Sequence, residues 1–247
     1  MTITVRDLCF AHPRRPPLFT GLALEIPPGR SVLLGPNGAG KSTLLALVAD
    51  ALRPSSGRIS VDPVGSPTAR GNRRRYRQAV SWLPQQSVAV PGLTVREHVA
   101  YFGWLKGLNR SDAWSRAVGA LTSVDLLTRA DQRASTLSGG QMRRLGVASA
   151  LVSGASWILL DEPTAGLDPA QRNRFTQLLQ SLPDDVSVLV STHQTEDVAT
   201  TVDHVTVLVD GRVPFAGTVG DFTRPFDDLG PASAVAAAYT HLVGEDD

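Results

Sequence analysis

The chain has little of several things that would point to a secreted, zinc-binding or membrane-spanning protein. It contains a single cysteine, Cys9, among 247 residues, which excludes a disulfide framework and a cysteine-based zinc site. No stretch approaches the roughly 18 consecutive apolar residues that cross a bilayer. The first residues lack the basic-then-apolar layout of a signal peptide. A net charge of only +1 gives no overall field for nucleic acid. Any association with a membrane is therefore expected to depend on a partner.

What the chain does contain is an alternation of short apolar strands with amphipathic helices. This alternation predicts an α/β fold with a mainly parallel sheet covered by helices on both faces. Two strands near the N-terminus, around a proline-rich loop, predict an N-terminal antiparallel β subdomain. The segment from about 90 to 152 interrupts the alternation and predicts an inserted helical lobe. A short helical tail is expected over about 231–243, and residues 1–247 are expected to form one domain.

Several element boundaries follow from spacing and from turn residues. A helix is expected over residues 41–52, stopped before Pro54. The apolar spacing is helical from Thr94 to about Leu127. Residues 205–209 and 213–215 predict a hairpin around the Asp-Gly pair between them. The basic run 73–77 is interpreted as a solvated turn or helix before a strand, with a site for nucleic acid or acidic lipid as the alternative.

A glycine-rich loop between a short strand and a helix matches the phosphate-binding P-loop at every fixed position. It reads Gly35-Pro36-Asn37-Gly38-Ala39-Gly40-Lys41-Ser42-Thr43. Its glycines let successive backbone N–H groups point at one phosphate, and the following helix adds its positive end. Lys41 is expected to reach the β- and γ-phosphates of a nucleotide, and Ser42 to ligate Mg²⁺. The core is therefore predicted to be that of a P-loop NTPase.

Two adjacent carboxylates, Asp161 and Glu162, end a fully apolar strand. Burying carboxylates without partners is costly, so their place at the tip of a buried strand indicates a use. In P-loop NTPases an acid at this point holds Mg²⁺, directly or through water. The acid that follows can take the proton of the attacking water. Asp161 is therefore predicted to be a metal ligand, and Glu162 the general base.

A second glycine-rich helix start lies further along the chain, at Leu137-Ser138-Gly139-Gly140-Gln141. Alone, this segment is equally well explained as a capping turn. Together with the P-loop and the two acids, it resembles the signature of the nucleotide-binding subunits of ABC transporters. The resemblance covers residues from about 3 to 225. It implies the ABC ATPase fold and a head-to-tail dimer, in which each ATP lies between one P-loop and the partner's signature.

The resemblance also assigns roles to isolated residues. Gln85 resembles the glutamine that senses Mg²⁺ and the membrane partner, and His193 resembles the switch histidine at the γ-phosphate. Asp168 lies in a loop that resembles the one crossing the dimer interface. The family usually has an aromatic residue, most often tyrosine, where an adenine ring stacks. This chain has His12 at that position, so its contact with the base is a weaker expectation.

The function expected from the resemblance is that of the separate ATPase subunit of an ABC transporter, with ATP and Mg²⁺ as its ligands. Its expected partners are a second copy of the chain and a distinct transmembrane subunit, not nucleic acid. It is expected in the cytoplasm, on the inner face of the cell membrane. The sequence around His193 and the short tail resemble prokaryotic exporters. The alternatives are a soluble ABC ATPase acting on nucleic acid or ribosomes, and a regulatory subunit that binds ATP. Trp104 and Trp114 are core residues by default, or anchors for the membrane subunit.

Overall fold

The computed structural model describes residues 1–86, 88–198 and 202–244. Its strands are β1 (Ile3–Ala11), β2 (Pro17–Ile26), β3 (Arg30–Leu34), β4 (Ser56–Val61), β5 (Val80–Leu83), β6 (Trp157–Asp161), β7 (Ser187–Thr192), β8 (His204–Val209) and β9 (Arg212–Thr218). Its α-helices are α1 (Lys41–Val48), α2 (Arg73–Ala79), α3 (Val95–Leu105), α4 (Arg110–Ser123), α5 (Gly139–Leu151), α6 (Pro169–Gln180), α7 (Val219–Thr223) and α8 (Pro231–Val243). Among these helices none combines the length and the apolar character needed to cross a membrane.

The centre of the fold is a six-stranded sheet in the order β5-β6-β7-β3-β8-β9. All neighbouring pairs are parallel except β8 and β9, which form the expected antiparallel hairpin. Because the parallel strands run the same way, the loops after β3, β5, β6 and β7 emerge at one edge of the sheet. These loops carry the P-loop, Gln85, the two carboxylates and His193. Ligands of open α/β sheets bind at this carboxyl edge.

A second sheet, in the order β2-β1-β4, is antiparallel throughout. It confirms the N-terminal antiparallel subdomain, and it adds β4 as its third strand. Its inner face packs against the central sheet in one hydrophobic cluster with α1, which includes Ile3, Phe19, Leu45 and Trp157. The P-loop helix is therefore held between two sheets, and this packing fixes the direction in which its N-terminus points.

The helical segment after β5 contains more separate helices than the spacing of its apolar residues predicted. The expected helical run from Thr94 to about Leu127 contains α3 and α4, which are separated at Gly107. Gly107 has a φ of 99°, a left-handed conformation that ends a helix. Asn109 then caps α4 by accepting a hydrogen bond from the backbone N–H of Asp112. Spacing alone could not locate this break, because apolar residues recur at helical intervals on both sides of it.

The helical lobe shares its core with the central sheet. One cluster joins Val99 of α3, Leu121 of α4 and Leu145 of α5 to Leu160 of β6 and Phe175 of α6. Helix α5 approaches β5 especially closely, because a Cβ at Gly146 would lie 2.5 Å from a methyl group of Leu83. The lobe and the sheet are thus in direct contact. The single domain expected over 1–247 stays a prediction, and part of that range lies outside the described residues.

Candidate functional site

The P-loop leaves β3 at Leu34 and enters α1 at Lys41, with glycine required at both of its ends. A Cβ on Gly35 would lie 2.2 Å from the carbonyl oxygen of Leu208, so only glycine fits against β8. Gly40, the N-cap of α1, has a φ of 102°, and a Cβ there would lie 2.9 Å from the ring of Phe19. These constraints fix the path of the backbone into α1, whose first N–H groups have no partner within the helix and can bind an anion.

Lys41 is buried at the start of α1, and its ammonium group lies inside the loop. Its Nζ donates to the carbonyl oxygens of Gly35 at 2.7 Å and Pro36 at 3.0 Å. It also lies 3.5 Å from Oε1 of Glu162. Burial lowers the pKa of Lys41, and the nearby Glu162 carboxylate opposes that shift. The ammonium is thus a buried cation within reach of the space in front of the loop.

Asp161 lies beside the P-loop because β6 and β3 flank β7 in the sheet. Its Oδ1 accepts hydrogen bonds from Ser42 Oγ at 2.9 Å and from Ser191 Oγ at 2.7 Å. Ser191 is the register partner of Asp161 on β7, which explains how it reaches the carboxylate. The expected pair of Mg²⁺ ligands, Ser42 and Asp161, is therefore in direct contact.

Glu162 follows Asp161 in a left-handed backbone conformation, with a φ of 48°. A non-glycine residue adopts this conformation only when its surroundings hold it. Its backbone N–H donates to both the carbonyl oxygen and the hydroxyl of Ser191, each at 3.1 Å. Its carboxylate contacts Nδ1 of His193 at 2.8 Å. The predicted general base and the predicted switch histidine are therefore paired at the end of the sheet.

An open cleft of about 580 Å³ lies in front of these groups. Its lining includes the predicted residues His12, Asn37, Gly38, Gly40, Lys41, Ser42, Thr43, Gln85, Glu162 and His193. His12 is placed by a contact of 3.2 Å between its Nε2 and Thr43 Oγ1, and its ring meets Phe10 edge-on. The P-loop, Glu162 and the isolated histidines thus converge on one space, and Asp161 lies behind it in contact with Ser42.

Oxygen-bearing side chains in the cleft and directly behind it fit Mg²⁺. A hydroxyl, a carboxylate and an amide oxygen, from Ser42, Asp161 and Gln85, are the hard oxygen ligands that this ion prefers. Mg²⁺ is usually held by one or two protein groups together with substrate phosphates. No group of three or more His, Cys, Asp or Glu residues with metal-ligand geometry occurs in the described part of the chain.

The signature segment lies outside this cleft. Ser138 caps α5 by accepting a hydrogen bond from the Gln141 N–H at 3.4 Å, while the Gln141 side chain accepts one from Ser138 N–H at 2.9 Å. Ser138 and Gly139 are exposed, and a Cβ on Gly139 would meet no atom within 4 Å. None of residues 137–141 is among the described residues that line the cleft. One chain therefore presents two separate glycine-rich helix starts.

Asp168 is exposed at the start of α6, where it accepts a hydrogen bond from Gln171 N–H at 2.9 Å. The loop before it is tied to the signature helix, because Arg143 of α5 donates to the carbonyl oxygen of Ala165. The signature and the Asp168 loop are thus connected on one face, apart from the lining of the cleft.

Two contributors to the site escaped the sequence motifs. Ser191, which is fully buried, holds both Asp161 and Glu162 through its hydroxyl, yet it precedes the motif histidine by two residues and belongs to no pattern of its own. Arg15 lines the cleft from the proline-rich loop between β1 and β2. Nothing in the local sequence distinguishes Arg15 from its neighbour Arg14, because its place depends on how β2 returns along β1.

Comparison with known proteins gives consistent matches. The ABC transporter family model matches residues 19–165. Linearmycin resistance ATP-binding protein LnrL of Bacillus subtilis is 32% identical over 205 residues, which are 81% of this chain and 64% of LnrL. Human phospholipid-transporting ATPase ABCA7 is 34% identical over 218 residues, which are 87% of this chain but only 10% of ABCA7. The chain therefore spans less than two thirds of either relative.

The dimeric structure of MJ0796, a bacterial ABC transporter cassette, superposes with a TM-score of 0.74 at 25% identity, covering 87% of this chain and 98% of the other. The likeness confirms the expected fold. Since the family model covers more than half of the sequence, the chain belongs to the ABC transporter family, as one of its ATPase domains.

Proposed function

We propose that two copies of this chain enclose two ATP molecules and hydrolyse them to drive a separate membrane subunit. The observation that carries the proposal is the placement of the two glycine-rich helix starts. The P-loop shares a cleft with Glu162 and His193, whereas the exposed signature lies outside that cleft. The position of the signature outside the cleft of its own chain is explained if the signature completes the cleft of another copy.

In the proposed site, the P-loop and Lys41 bind the phosphates, and His12 contacts the base. Lys41 already lies within the loop, so a small movement of its side chain from the carbonyls of Gly35 and Pro36 would bring it to a phosphate oxygen. Thr43 orients the His12 ring at the edge of the cleft. His12 offers less stacking area than a tyrosine would, so we expect the phosphates to contribute most of the affinity.

Hydrolysis is proposed to use the pair of Glu162 and His193. Glu162 would take the proton of the attacking water, and His193, in contact with the same carboxylate, would hold it in position. Ser42, Asp161 and Gln85 would hold Mg²⁺, which neutralises charge on the phosphates when bound. The Ser191 hydroxyl keeps Asp161 turned towards Ser42, and its contact with Glu162 N–H fixes the direction of the second carboxylate.

The dimer would be completed by Ser138 and Gly139 of each copy, whose helix start would face the phosphates in the partner's cleft. Asp168 would lie at the same interface, since Arg143 connects its loop to the signature helix. The dimeric cassette MJ0796 supports a pairing of this kind.

The membrane subunit is proposed to contact the helical lobe and the region around Gln85. Trp104 of α3 is 51% exposed, and its ring stacks on that of the exposed Tyr101. Exposed aromatic pairs of this kind are frequent anchors of protein interfaces. The names of the two relatives, a resistance protein and a phospholipid-transporting ATPase, favour an exporter. The chain would then act on the cytoplasmic face of the membrane.

The substitution Glu162→Gln tests the proposal. Removing the base while keeping the shape of the side chain should lower ATP turnover by roughly 10²–10⁴-fold without preventing ATP binding. The ATP-bound dimer should accumulate, which size-exclusion chromatography with light scattering would detect. Glu25→Gln, the same chemical change at an exposed position on β2, is the matched control and should turn over ATP normally. Near-normal turnover by Glu162→Gln would contradict the proposal.

A further inference from the structure

The loop between β1 and β2 closes in a tight turn that borders the cleft in front of the P-loop. The backbone N–H of Arg15 donates to the carbonyl oxygen of His12 at 3.1 Å. Pro13 and Arg14 lie between them, and Arg14 has a φ of 60°. A proline at the second position and a positive φ at the third are typical of a type II turn. The turn therefore fixes the place of the Arg15 backbone relative to His12.

Contacts on both sides of this turn hold it against the start of α1. Before the turn, His12 Nε2 lies 3.2 Å from Thr43 Oγ1. After the turn, Leu18 packs on the P-loop so closely that a Cβ on Gly40 would lie 3.2 Å from the Leu18 Cδ2. The turn thus has a defined position along the cleft, although its own residues are exposed.

The two arginines of the turn are placed differently. Arg15 lines the cleft together with His12, whereas Arg14 is not among the described residues that line it. Both arginines are exposed, so burial does not distinguish them. The chain reverses its direction at the left-handed Arg14, and only the arginine after the reversal borders the space in front of the P-loop.

Arg15 brings an uncompensated positive charge to the cleft. Apart from the two histidines, the charged residues in the described lining are Arg15, Lys41 and Glu162. Lys41 lies 3.5 Å from Glu162 Oε1, so these two opposite charges compensate each other in part. Arg15 forms no ion pair with a carboxylate in the described part of the chain. Its guanidinium is therefore available to an anionic ligand.

The order of groups along the cleft indicates which part of a nucleotide Arg15 meets. Contacts of 3.5 and 2.8 Å join Lys41, Glu162 and His193 at the end where the terminal phosphate is expected. His12 marks the end where the base is expected, and the turn keeps Arg15 hydrogen-bonded to it. The α-phosphate is the phosphate nearest to the base. A guanidinium can hold two oxygens of one phosphate with a pair of parallel N–H donors.

We propose that Arg15 binds the α-phosphate of the nucleotide, so that affinity depends on the phosphates more than on the base. The inference rests on the proposed function for the presence of a nucleotide in the cleft, and it adds a binding residue that no motif contains. His12 offers a smaller stacking surface than a tyrosine would. The contact with Arg15 adds affinity next to that weak stacking site, and it does so equally for adenine, guanine and uracil nucleotides.

Arginine side chains also stack on aromatic rings, so a contact between Arg15 and the base is the alternative. The charges favour the phosphate, because a guanidinium stacked on the base would leave its charge without a counterion. The two contacts differ in how they depend on the base. A phosphate contact is the same for every nucleotide, whereas stacking is weaker on the smaller ring of a pyrimidine.

The test is calorimetric titration of ADP, GDP and UDP, each with Mg²⁺, into the wild-type chain and its variants. Arg15→Gln removes one charge-assisted contact at an exposed position and should weaken all three nucleotides by roughly 5- to 30-fold. Arg15→Lys keeps the charge and should recover most of the affinity. The difference between the wild type and Arg15→Gln should shrink as salt is added, because salt screens exposed charges. Arg14→Gln, the same change at the neighbouring exposed arginine, is the matched control and should leave the three affinities nearly unchanged.

Steady-state kinetics give a second readout. Arg15→Gln should raise the KM for ATP and leave kcat nearly unchanged, because the α-phosphate keeps its bonds during hydrolysis. The inference is overturned if Arg14→Gln and Arg15→Gln bind nucleotides alike, if kcat falls while KM stays constant, or if the loss is confined to the purine nucleotides. In each of these cases a wild-type chain that binds and hydrolyses ATP leaves the proposed function intact. A wild-type chain that binds no nucleotide removes both.

Discussion

At the scale of single residues, Ser191 lies outside the motifs and yet contacts both acids of the site. Its hydroxyl donates to Asp161 and accepts from the Glu162 backbone, so one side chain aligns both carboxylates of the site. It also stabilises the left-handed conformation of Glu162, which is otherwise unfavourable. The two acids are therefore positioned by a neighbouring strand as well as by their own.

The substitution Ser191→Ala should lower ATP turnover by roughly 10- to 100-fold and stability by about 1–3 kcal/mol, because a buried Glu162 N–H and a buried carboxylate each lose a partner. Steady-state ATPase measurements and chemical denaturation would check both values. Ser187→Ala is the control at the other end of β7, where the hydroxyl accepts a hydrogen bond from Gly29 N–H at 3.1 Å. It should destabilise the protein without a specific loss of turnover. Equal turnover in the two variants would show that Ser191 does not position the site.

The comparison of the two serines shows what sequence can and cannot locate. Lys41, Asp161 and Glu162 are found from sequence because their roles depend on near neighbours along the chain. Ser191 acts across a register pairing between β6 and β7, so its role appears only when the order of the strands is known. Arg15 is hidden for the same reason, since it reaches the cleft through the pairing of β1 with β2.

At the scale of elements, α3 depends on a buried histidine. His98 is 4% exposed; its Nδ1 accepts a hydrogen bond from Val90 N–H, and its ring packs on Phe102. Burial lowers the pKa of His98 from 6.5 to about 4. The folded protein thus keeps this histidine neutral at pH values where the unfolded chain protonates it.

A pH-dependent contribution to stability follows. Because the folded pKa lies below the unfolded one, the contribution of His98 is fully present above pH 6.5 and is lost as the pH falls towards 4. The loss should amount to up to about 3 kcal/mol. Urea denaturation of the wild-type protein and of His98→Gln, which cannot titrate, should show a stability difference that shrinks between pH 7 and pH 4.5. A difference that stays constant over this range would show that His98 does not titrate as its burial implies.

Element boundaries were predicted less well than element types. The helix expected over residues 41–52 ends at Val48, because the chain turns at Asp50, which has a φ of 54° and a carboxylate clamped by Arg73 and Arg77. This clamp joins residues more than 20 positions apart, so no local pattern reveals it. The same clamp holds the basic run 73–77 in helix α2, which agrees with the interpretation of this run as a solvated helix.

At the scale of the whole molecule, the in-trans role of the signature can be tested by mixing two inactive chains. Lys41→Ala removes the phosphate lysine, and Gly139→Asp places a carboxylate in the open space at the start of α5. Each homodimer has two defective sites, whereas a mixed dimer has one intact site. Random pairing should restore retention of ATP in dimers to about a quarter of the wild-type sites. The readout is nucleotide that remains with the dimer during gel filtration.

A matched control for this mixture is Gly119→Asp, the same substitution in another open position, on α4. Its homodimers should retain ATP as the wild type does, which would show that an added aspartate is harmless to the fold. Failure of the mixed dimers to retain any ATP would exclude the in-trans role of Gly139.

The general plan of the molecule was predictable from sequence, because alternating strands and helices permit few arrangements of a parallel sheet. The relative placement of the two glycine-rich helix starts was predicted only through the family resemblance. The motifs themselves indicate that one nucleotide cannot easily contact both helix starts of a single chain. They do not indicate which surfaces of two chains meet.

The length and stiffness of helix α5 have a mechanical consequence. Its 13 residues form a rod about 20 Å long that begins at the signature, and its later turns, with Gly146, Ser149 and Ala150, line a cavity of about 970 Å³ beside β5. A rod of this kind moves as one piece, because bending it would break backbone hydrogen bonds. In the proposed dimer, a load applied to these later turns would therefore be transmitted to the signature through the same thirteen residues.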